Sequence, residues 1–442
     1  MRKQVMLEGE VVDLSHDGNG IIKIDQKVYF VPGVLVGERV QFRALKKRKG
    51  KYEGALEAIL TASEHRIEPA CEYFDRCGGC SFLHLDPEVG LLNKEKTLFD
   101  NLERIGKVEA QARFHGMQAS LWGYRRKARP GIRFVPKKGG IMVGFREPGS
   151  SYITSLKHCA TLDPRLSALL PSLHELFEKL DHNDRIPQVE VAAGDNAVAL
   201  VLRHLEPLNA QDVDFIQAYA KDHDVQFFSQ SGGLDTIAPL WPREPEPLFY
   251  RMPDFDLQME FAPVDFIQVN AEVNKQMVKQ AVDAMELTSA DRVLDLFCGL
   301  GNFTLPLASA AGEVVGIEAD DSLVEKGKRN AVLNGIGNVS FAKCNLHDQD
   351  LTHSLDPILS AFGGFNKVLI DPPRSGAYEV VRQLVPILNP DTLVYVSCNP
   401  STLARDADVM VNHHGYDLSK AGVIDMFPHT AHVESMAVFH RR

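Results

Sequence analysis

The sequence lacks the long apolar runs that membrane-spanning helices need. Hydrophobic residues make up 44% of the 442 residues and charged residues 24%, which is ordinary for a soluble globular protein. Residues 1–5 lead into a charged segment rather than into the apolar core of a signal peptide. These absences argue against a membrane-spanning or secreted protein, and we expect a cytoplasmic location.

An excess of positive charge is also missing, because 48 Lys and Arg residues face 59 Asp and Glu residues. The resulting net charge of −11 argues weakly against nucleic acid as a partner. Local charge decides binding, however, and residues 43–51 and 124–133 are strongly basic and have aromatic neighbours. For either segment alone a solvated surface is the simpler interpretation, but together they favour RNA. The predicted RNA contacts are Lys46, Lys47, Arg48, Arg125, Arg126 and Arg133.

Cysteines are few, and their number, seven, is odd. Because the sequence shows no secretion signal, a disulfide framework is not expected. Metal binding or catalysis are then the favoured roles for these cysteines. Cys71, Cys77 and Cys80 lie within ten residues, and Cys159 is the candidate fourth ligand. Four thiolates suit either an iron–sulfur cluster or zinc, and cysteines without any metal remain an alternative. The C-x3-C-x2-C spacing of radical enzymes is absent, which disfavours a radical role.

The chain divides by pattern into three predicted domains, without internal repeats or low-complexity tracts. Residues 1–65 read as short strands separated by Gly-rich turns, which predicts a five-stranded barrel of the OB type. Residues 66–262 mix strands and helices, and a helix near 91–105 in this region is a candidate to pack on the last domain. Residues 263–442 alternate strands and helices and end in a hairpin, which predicts an α/β doubly wound sheet with the layout of Rossmann-like methyltransferases.

A glycine turn follows the first strand of this last domain, in Asp295-Leu-Phe-Cys-Gly-Leu-Gly-Asn302. Glycines there allow a sharp turn and a close approach to a ligand, and Glu318 at the end of the next strand is placed to accept hydrogen bonds from ribose hydroxyls. The spacing is not G-x-G-x-x-G, and a tight turn without a ligand is the alternative. The pattern therefore predicts a nucleoside-containing cofactor.

Three further polar segments lie at predicted strand ends, where open α/β sheets bind ligands. They are residues 371–374, residues 397–400 and Glu434. Cys398 lies in a polar strand-end turn before Pro400, which favours a nucleophile over an inert core cysteine. Glu434 alone would more simply be a surface carboxylate, and Cys298 and Cys344 read as structural, although Cys298 lies close to the glycine turn.

Several motifs together resemble those of the RNA uracil-5 methyltransferase family. They are FIQVN (266–270), DLFCGLGNFTLPLA (295–308), IDPPRSG (370–376), VSCNPSTLARD (396–406) and HTAHVESMAV (429–438). In the first domain, HDGNGII (16–22) and VPGVLVGERV (31–40) resemble a TRAM domain, an RNA-binding barrel. The resemblance spans nearly the whole chain and implies methyl transfer from S-adenosyl-L-methionine to carbon 5 of a uracil in RNA.

The family's chemistry assigns roles to individual residues. A thiolate adds to C6 of the uracil so that C5 becomes nucleophilic, and a base then removes the C5 proton. The resemblance implies Cys398 as the nucleophile, Glu434 as the base and Phe266 as a wall of the uracil pocket. The implied cofactor-binding residues are Gln268, Phe297, Asn302, Glu318, Asn345 and Asp371.

The cysteine arrangement resembles the iron–sulfur site of the family's ribosomal RNA branch, which implies a [4Fe-4S] cluster with a structural role. The presence of both the barrel and the four cysteines is similar to enzymes that act on 23S ribosomal RNA. Two alternatives stay open, which are the same chemistry on tRNA or on a second ribosomal uridine, and a non-catalytic RNA-binding assembly factor. A monomer is the default expectation.

Overall fold

The N-terminal strands close into a barrel in the computed structural model, which describes residues 5–45, 47 and 50–442. The strands are β1 (Met6–Leu14), β2 (Gly20–Ile24), β3 (Lys27–Val31), β4 (Arg39–Ala44) and β5 (Tyr52–Thr61). They pair in the order β1-β2-β3-β5-β4, which closes on β1. Alternating side chains such as Val11, Ile22, Val31 and Phe42 fill the interior. The barrel predicted from the sequence is confirmed.

A helix and a short strand connect the barrel to the rest of the chain. They are α1 (Pro87–Asn101), which continues into a π-helical turn at Leu102–Gly106, and β6 (Ala112–Arg113). The helix begins four residues before the predicted start because the Asp86 carboxylate accepts hydrogen bonds from the amides of Glu88 and Val89. Leu98 and Leu102 are buried in the core of the C-terminal sheet, so this helix belongs physically to that sheet.

The central region is an α+β layer. Its elements are β7 (Lys127–Ala128), β8 (Gly131–Val135), β9 (Gly140–Arg146), β10 (Ile153–Ser155), α2 (Pro164–Lys179), β11 (Gln188–Ala193), β12 (Val198–Arg203), α3 (Ala210–Asp222), β13 (Gln226–Gln230) and β14 (Ile237–Trp241). The strands pair in the order β10-β9-β8-β11-β12-β13-β14, and β7 pairs with β11. Apolar side chains of α2, such as Leu170, Leu173 and Phe177, pack on the sheet.

A hairpin follows the central layer and packs on the C-terminal sheet. It consists of β15 (Leu248–Met252) and β16 (Leu257–Phe261). Tyr250 and Met259 are buried with the C-terminal core. The hairpin lies before residue 263, where the sequence places the start of the last domain, so the packing unit is larger than the predicted segment.

The C-terminal region is a doubly wound α/β sheet with an antiparallel edge. Its elements are α4 (Ala271–Ala284), β17 (Arg292–Leu296), α5 (Thr304–Ala308), β18 (Glu313–Glu318), α6 (Asp321–Leu333), β19 (Val339–Lys343), α7 (Leu351–Phe362), β20 (Lys367–Ile370), α8 (Val385–Leu388), β21 (Thr392–Ser397), α9 (Pro400–Asp408), β22 (Tyr416–Ile424) and β23 (Glu434–Arg441). The strand order is β19-β18-β17-β20-β21-β23-β22-β6. Strands β17 to β21 are parallel, and β23 runs antiparallel to both of its neighbours.

The strand order places a ligand crevice at the carboxyl ends of β17 and β20. The chain proceeds from β17 to β18 on one side and returns to β20 on the other, and ligands bind at such reversal points in open α/β sheets. Both faces of the sheet are covered, since Val293 packs into one core and Leu294 into the other. Among the described residues, no helix has the length and apolar character to cross a membrane.

Candidate functional site

The glycine turn after β17 bends sharply because its backbone enters the left-handed region at three positions. The φ angles are 64° at Phe297, 57° at Gly299 and 98° at Gly301. Glycine adopts such angles without steric cost, whereas Phe297 does so at a strand end where the surrounding structure must hold it. A Cβ atom added to Gly299 would meet no atom within 4 Å, so the turn faces open space.

Glu318 connects the end of β18 to this turn. One carboxylate oxygen accepts a hydrogen bond from the Gly299 amide at 3.1 Å, and the other accepts from the amides of Ala319 and Asp320 at 2.7 and 3.1 Å. The carboxylate is therefore fixed at the edge of the crevice, as the glycine-turn pattern predicts.

Asp295 lies directly beneath the turn and is fully buried. One of its oxygens accepts a hydrogen bond from the Thr304 hydroxyl at 2.6 Å, while the other has no partner within the described structure. Burial, with smaller contributions from the nearby Asp371 and Glu318, raises the pKa of this carboxyl to about 8. An unsatisfied buried acceptor is costly, so this oxygen marks the turn as a place for a polar ligand.

Asn302 is held by a small polar network. Its carbonyl oxygen accepts hydrogen bonds from the Tyr250 hydroxyl and the Asn274 amide, both at 2.9 Å, and its own amide donates to Asn274 at 3.0 Å. Tyr250 belongs to the hairpin and Asn274 to α4, and the sequence patterns pointed to neither residue. Only packing across the chain brings these partners to the turn.

One cavity of about 570 Å³ collects the predicted catalytic and cofactor residues. Its lining includes Phe266, Gln268, Phe297, Asn302, Glu318, Asn345, Asp371, Cys398 and Glu434. Phe266 is 74% exposed, so its ring lies at the mouth rather than in the depth of the cavity. Segments that are more than 160 residues apart in the chain thus converge on one crevice, where the strand order places it.

Cys398 lies in a turn between β21 and α9 that hydrogen bonds hold from both sides. The Asn399 amide group donates to the Arg374 carbonyl at 3.0 Å, and the Ser397 hydroxyl oxygen accepts from the Asn399 backbone amide at 3.1 Å. Asn399 also caps α9 by accepting from Ser401. The thiol is half-buried and faces the cavity.

The pKa of the Cys398 thiol is raised to about 11 by burial and by the carboxyls of Glu434 and Asp371. Arg374 opposes this rise. The sequence reasoning expected an activated nucleophile, whereas the ligand-free protein holds a protonated thiol at neutral pH. The main physical reason is burial, which disfavours the charged thiolate, and the carboxyl groups of Glu434 and Asp371 further disfavour a negative charge on the sulfur.

Glu434 is the first residue of β23 and is 7% exposed. Burial and the Asp371 carboxyl, opposed by the Arg374 and Lys94 cations, raise the pKa of its carboxyl to about 8. A base whose pKa lies near physiological pH is suited to take up and release a proton. A surface carboxylate, the simpler alternative for Glu434, is therefore not what the fold produces.

Arg374 and His432 also line the cavity, although the sequence reasoning gave them no role. The Arg374 guanidinium and the His432 imidazole are 3.1 Å apart. Burial and the Arg374 charge lower the pKa of His432, so the ring is neutral and can accept the hydrogen bond. Arg374 lies in the motif IDPPRSG and His432 in the motif HTAHVESMAV. Membership in these motifs was the sequence feature that could have identified both as site residues.

A second cavity, of about 290 Å³, brings the four predicted metal ligands together. Cys71, Cys77, Cys80 and Cys159 all line it, although 79 residues separate the last two. Burial raises the pKa of the first three thiols, and the neighbouring thiols add to the rise. Within the described residues, no three potential ligands converge on a single ion position. Cys298 and Cys344 are buried outside this group.

The predicted RNA contacts fall into different environments. Arg133 is exposed, Lys47 lies over the Tyr52 ring at 5.0 Å, and Arg125 lies over the Phe427 ring at 5.5 Å. Arg126 departs from the prediction because its guanidinium is buried and pairs with Asp195 at 2.6 Å, which makes it part of the fold's interior. Lys46 and Arg48 lie outside the described residues.

The doubly wound sheet, the glycine turn with its fixed acid and the antiparallel last strand together define an α/β methyltransferase fold. The family described as tRNA (Uracil-5-)-methyltransferase matches residues 250–442, a range that begins within the hairpin. The chain belongs to the RNA uracil-5 methyltransferase family.

Two curated relatives match almost end to end. The protein from Thiobacillus denitrificans is 45% identical over 98% of this chain and 99% of its own length, and it is named 23S rRNA (uracil(1939)-C(5))-methyltransferase RlmD. A protein of the same name from Alkalilimnicola ehrlichii is 46% identical over 98% of this chain and 96% of its own length. These identities establish the family over the whole chain.

Among solved structures, a similar fold is that of the Pyrococcus abyssi tRNA (uracil-54, C5)-methyltransferase in complex with S-adenosyl-L-homocysteine. The two folds agree with a TM-score of 0.76 over 98% of this chain and 100% of that one. At 22% sequence identity this likeness concerns the fold alone.

Proposed function

We propose that this protein transfers a methyl group from S-adenosyl-L-methionine to C5 of a uridine in 23S ribosomal RNA, the uridine at position 1939 that its relatives' names specify. The observation that carries the proposal is the presence of Cys398 and Glu434 in the same cavity as the glycine turn. A thiol and a carboxyl group that line one cavity together with the glycine turn are the groups that C5 methylation requires.

The cavity fits the methyl donor on three counts. Gly299 leaves open space where a ligand can approach the backbone, and Asp295 keeps an unpaired buried oxygen beneath the turn. Glu318 ends β18 where ribose hydroxyls bind in folds of this kind. Gln268, Phe297, Asn302, Asn345 and Asp371 complete the proposed cofactor-binding set, and all of them line the cavity.

The proposed steps follow from the placement of the chain's own groups. The Cys398 thiol gives its proton to solvent, and the thiolate adds to C6 of the uracil, which makes C5 a carbon nucleophile. When bound, S-adenosyl-L-methionine supplies the methyl group and a positive sulfonium charge. Glu434 then takes the remaining C5 proton, the bond between the sulfur and C6 breaks, and Cys398 leaves as a thiolate. Phe266 forms the exposed wall against which the uracil lies.

Separate transcripts test the proposed substrate. With labelled cofactor, a 23S fragment that contains the target uridine should gain one methyl group per molecule, located by mass spectrometry as 5-methyluridine. The same fragment with cytidine at that position is the matched control and should gain none. Preferential methylation of tRNA would assign the chemistry to another RNA. RNA binding without turnover would instead indicate an assembly factor.

We propose further that Cys71, Cys77, Cys80 and Cys159 hold a [4Fe-4S] cluster with a structural role. Four thiols line one cavity whose volume of about 290 Å³ exceeds what a single ion needs. The Cys77 sulfur accepts a hydrogen bond from the Gly79 amide at 3.4 Å, as cluster thiolates commonly do. Burial raises the pKa values of three of these thiols, and the neighbouring thiols add to the rise. A bound cation would remove both costs, because it compensates the negative charge of the thiolates.

Metal analysis tests the cysteine site. Anaerobically purified protein should contain about four iron and four sulfide per chain and absorb visible light, as the cluster stoichiometry requires. Cys80→Ser should lower both contents and the melting temperature, while Cys344→Ser, in a buried cysteine outside the site, should keep the iron. Zinc at one per chain, without sulfide, would contradict the proposed cluster.

For the RNA surface, we propose contacts from basic side chains that are exposed or half-buried. Arg125, Arg133 and Lys47 are the described members of this set, and Lys46 and Arg48 lie outside the described residues. Arg126, the sixth predicted contact, is left out because it is buried and paired with Asp195. The cations of this set would bind phosphates, whereas Tyr52 and Phe427 offer stacking faces. We propose a monomer as the working form.

A further inference from the structure

The nine residues that connect β22 to β23 lead directly into Glu434. We call residues 425–433 the base loop. Three consecutive carbonyls of the base loop accept hydrogen bonds from the N-terminal half of the chain. Lys94 donates to the Phe427 carbonyl at 3.0 Å, Tyr124 donates through its hydroxyl to the Pro428 carbonyl at 3.1 Å, and a third carbonyl belongs to His429.

The His429 carbonyl is held by the segment that follows the metal-site cysteines. The amides of Ser81 and Phe82 donate to it at 3.0 and 2.9 Å. In return, the Ser81 hydroxyl accepts a hydrogen bond from the Ala431 amide at 3.0 Å. Ser81 is the neighbour of Cys80, so the cysteine segment and the base loop are joined through adjacent residues.

Helix α1 adds a buried ion pair to these contacts. The Lys94 ammonium lies 2.6 Å from the Asp425 carboxylate, with both side chains less than 5% exposed. Asp425 also accepts from the Gln118 amide at 3.1 Å. Breaking such a pair on one side leaves an uncompensated buried charge, so the pair fixes the position of the base loop relative to the helix.

The backbone of the base loop needs these contacts. His429 has a φ of 64°, a conformation that non-glycine residues seldom adopt and keep only where neighbours hold them. Its ring lies against Trp122, with 4.2 Å between ring centroids. Glu434 pairs with Ile424 across the end of the hairpin, so a change in the base loop moves the carboxylate directly.

We propose that Lys94, Ser81 and Tyr124 are positioning residues that hold the base loop and thereby place the Glu434 carboxylate for proton removal, a role that rests on the proposed function. The N-terminal half then contributes to the chemistry itself, besides any contribution to RNA binding. Loss of a positioning contact should slow proton removal while leaving the affinity for RNA unchanged.

The pH dependence of kcat distinguishes this positioning role from a merely structural one. The charged and titratable groups around Glu434 are Asp371 and Arg374 after β20, Cys398 after β21, Lys94 on α1, and Asp425 and His432 in the base loop. The Lys94 cation lowers the pKa of Glu434. Its removal should therefore raise that pKa, and the acidic limb of the pH profile of kcat should move to higher pH, because the base must be deprotonated.

The test compares Lys94→Met with Lys96→Met, a substitution of an exposed lysine on the same helix. For Lys94→Met we expect a fall in kcat of roughly 10²-fold, the effect of a misplaced catalytic group, with an unchanged KM for RNA and an acidic limb at higher pH. Lys96→Met should keep the wild-type kcat and pH profile. A wild-type kcat and pH profile in Lys94→Met would overturn the inference.

Tyr124→Phe provides a second variant if the loss of the buried ion pair unfolds the protein. It removes one hydroxyl donor and no charge, so we expect kcat to fall while the pH profile stays in place. Wild-type kcat in this variant would also overturn the inference. If the wild-type protein itself forms no 5-methyluridine, the proposed function fails instead, so the two failures are distinguishable.

Discussion

Cys398→Ala is expected to reduce formation of 5-methyluridine to background, because the substitution removes the thiol that we propose to form the covalent bond to C6. Loss of a covalent nucleophile lowers kcat on the order of 10⁶-fold. The Cys398 sulfur lines the cavity beside Glu434, and the other described thiols of this cavity, Cys298 and Cys344, are buried at different strand ends. The measurement is methyl transfer to the 23S fragment from labelled cofactor.

The control for Cys398→Ala is cofactor binding. Titration with S-adenosyl-L-homocysteine should give the wild-type dissociation constant, because the substitution leaves Glu318, Asn302 and the glycine turn intact. Methyl transfer at the wild-type rate would remove Cys398 from the mechanism. The simultaneous loss of cofactor binding would point to unfolding rather than to chemistry.

Glu434→Gln should accumulate a covalent complex between the protein and RNA. The amide keeps the shape of the side chain and cannot take a proton, so the reaction stops after the methyl group has reached C5 and before Cys398 can leave. General base catalysis contributes roughly 10²–10⁴-fold, and we expect turnover to fall by that factor. A denaturing gel with labelled RNA detects the complex as a slowly migrating band.

The matched control is Glu286→Gln, the same substitution at an exposed glutamate after α4. This variant should turn over like the wild type and form no stable band. Complete release of RNA by Glu434→Gln, together with normal turnover, would assign the base to another group. Asp371 would then be the next candidate, since burial raises the pKa of its carboxyl to about 7.

The C-terminal sheet could be predicted well from the sequence because its central strands are continuous apolar runs. The alternation of strands and helices predicted for residues 263–442, with a hairpin at the end, agrees with the structure, since central strands such as β17, β20 and β21 are short apolar runs that are largely buried. The five-stranded barrel could also be predicted. Short segments in which apolar and polar residues alternate, separated by Gly-rich turns, are compatible with few other folds.

Contacts between distant segments could not be predicted in the same way. The hairpin β15–β16 packs on the C-terminal sheet although the sequence pattern placed it in the central region, whereas helix α1 packs there as its position in the sequence had suggested. Arg126 has the composition of an RNA contact and is instead neutralised by Asp195, a partner 69 residues away. A charge pattern does not reveal which cations the fold has already paired.

The electrostatics of the site were the property that was hardest to predict from the sequence. The sequence identifies Cys398, but it does not show that burial, together with the carboxyl groups of Glu434 and Asp371, raises the pKa of its thiol to about 11. Likewise, the base loop depends on Lys94, which lies 331 residues before its partner Asp425. Such couplings follow from three-dimensional proximity, and one sequence without its fold contains no local signal for them.

Mass spectrometry of the Glu434→Gln complex tests the central mechanism most directly. After digestion with protease and nuclease, a peptide that contains residue 398 should have the mass of that peptide plus one methylated uridine nucleotide, and fragmentation should place the added mass on the Cys398 sulfur. Attachment of the nucleotide to any other residue, or a complex whose nucleotide is not uridine, would contradict covalent catalysis by Cys398 on uracil.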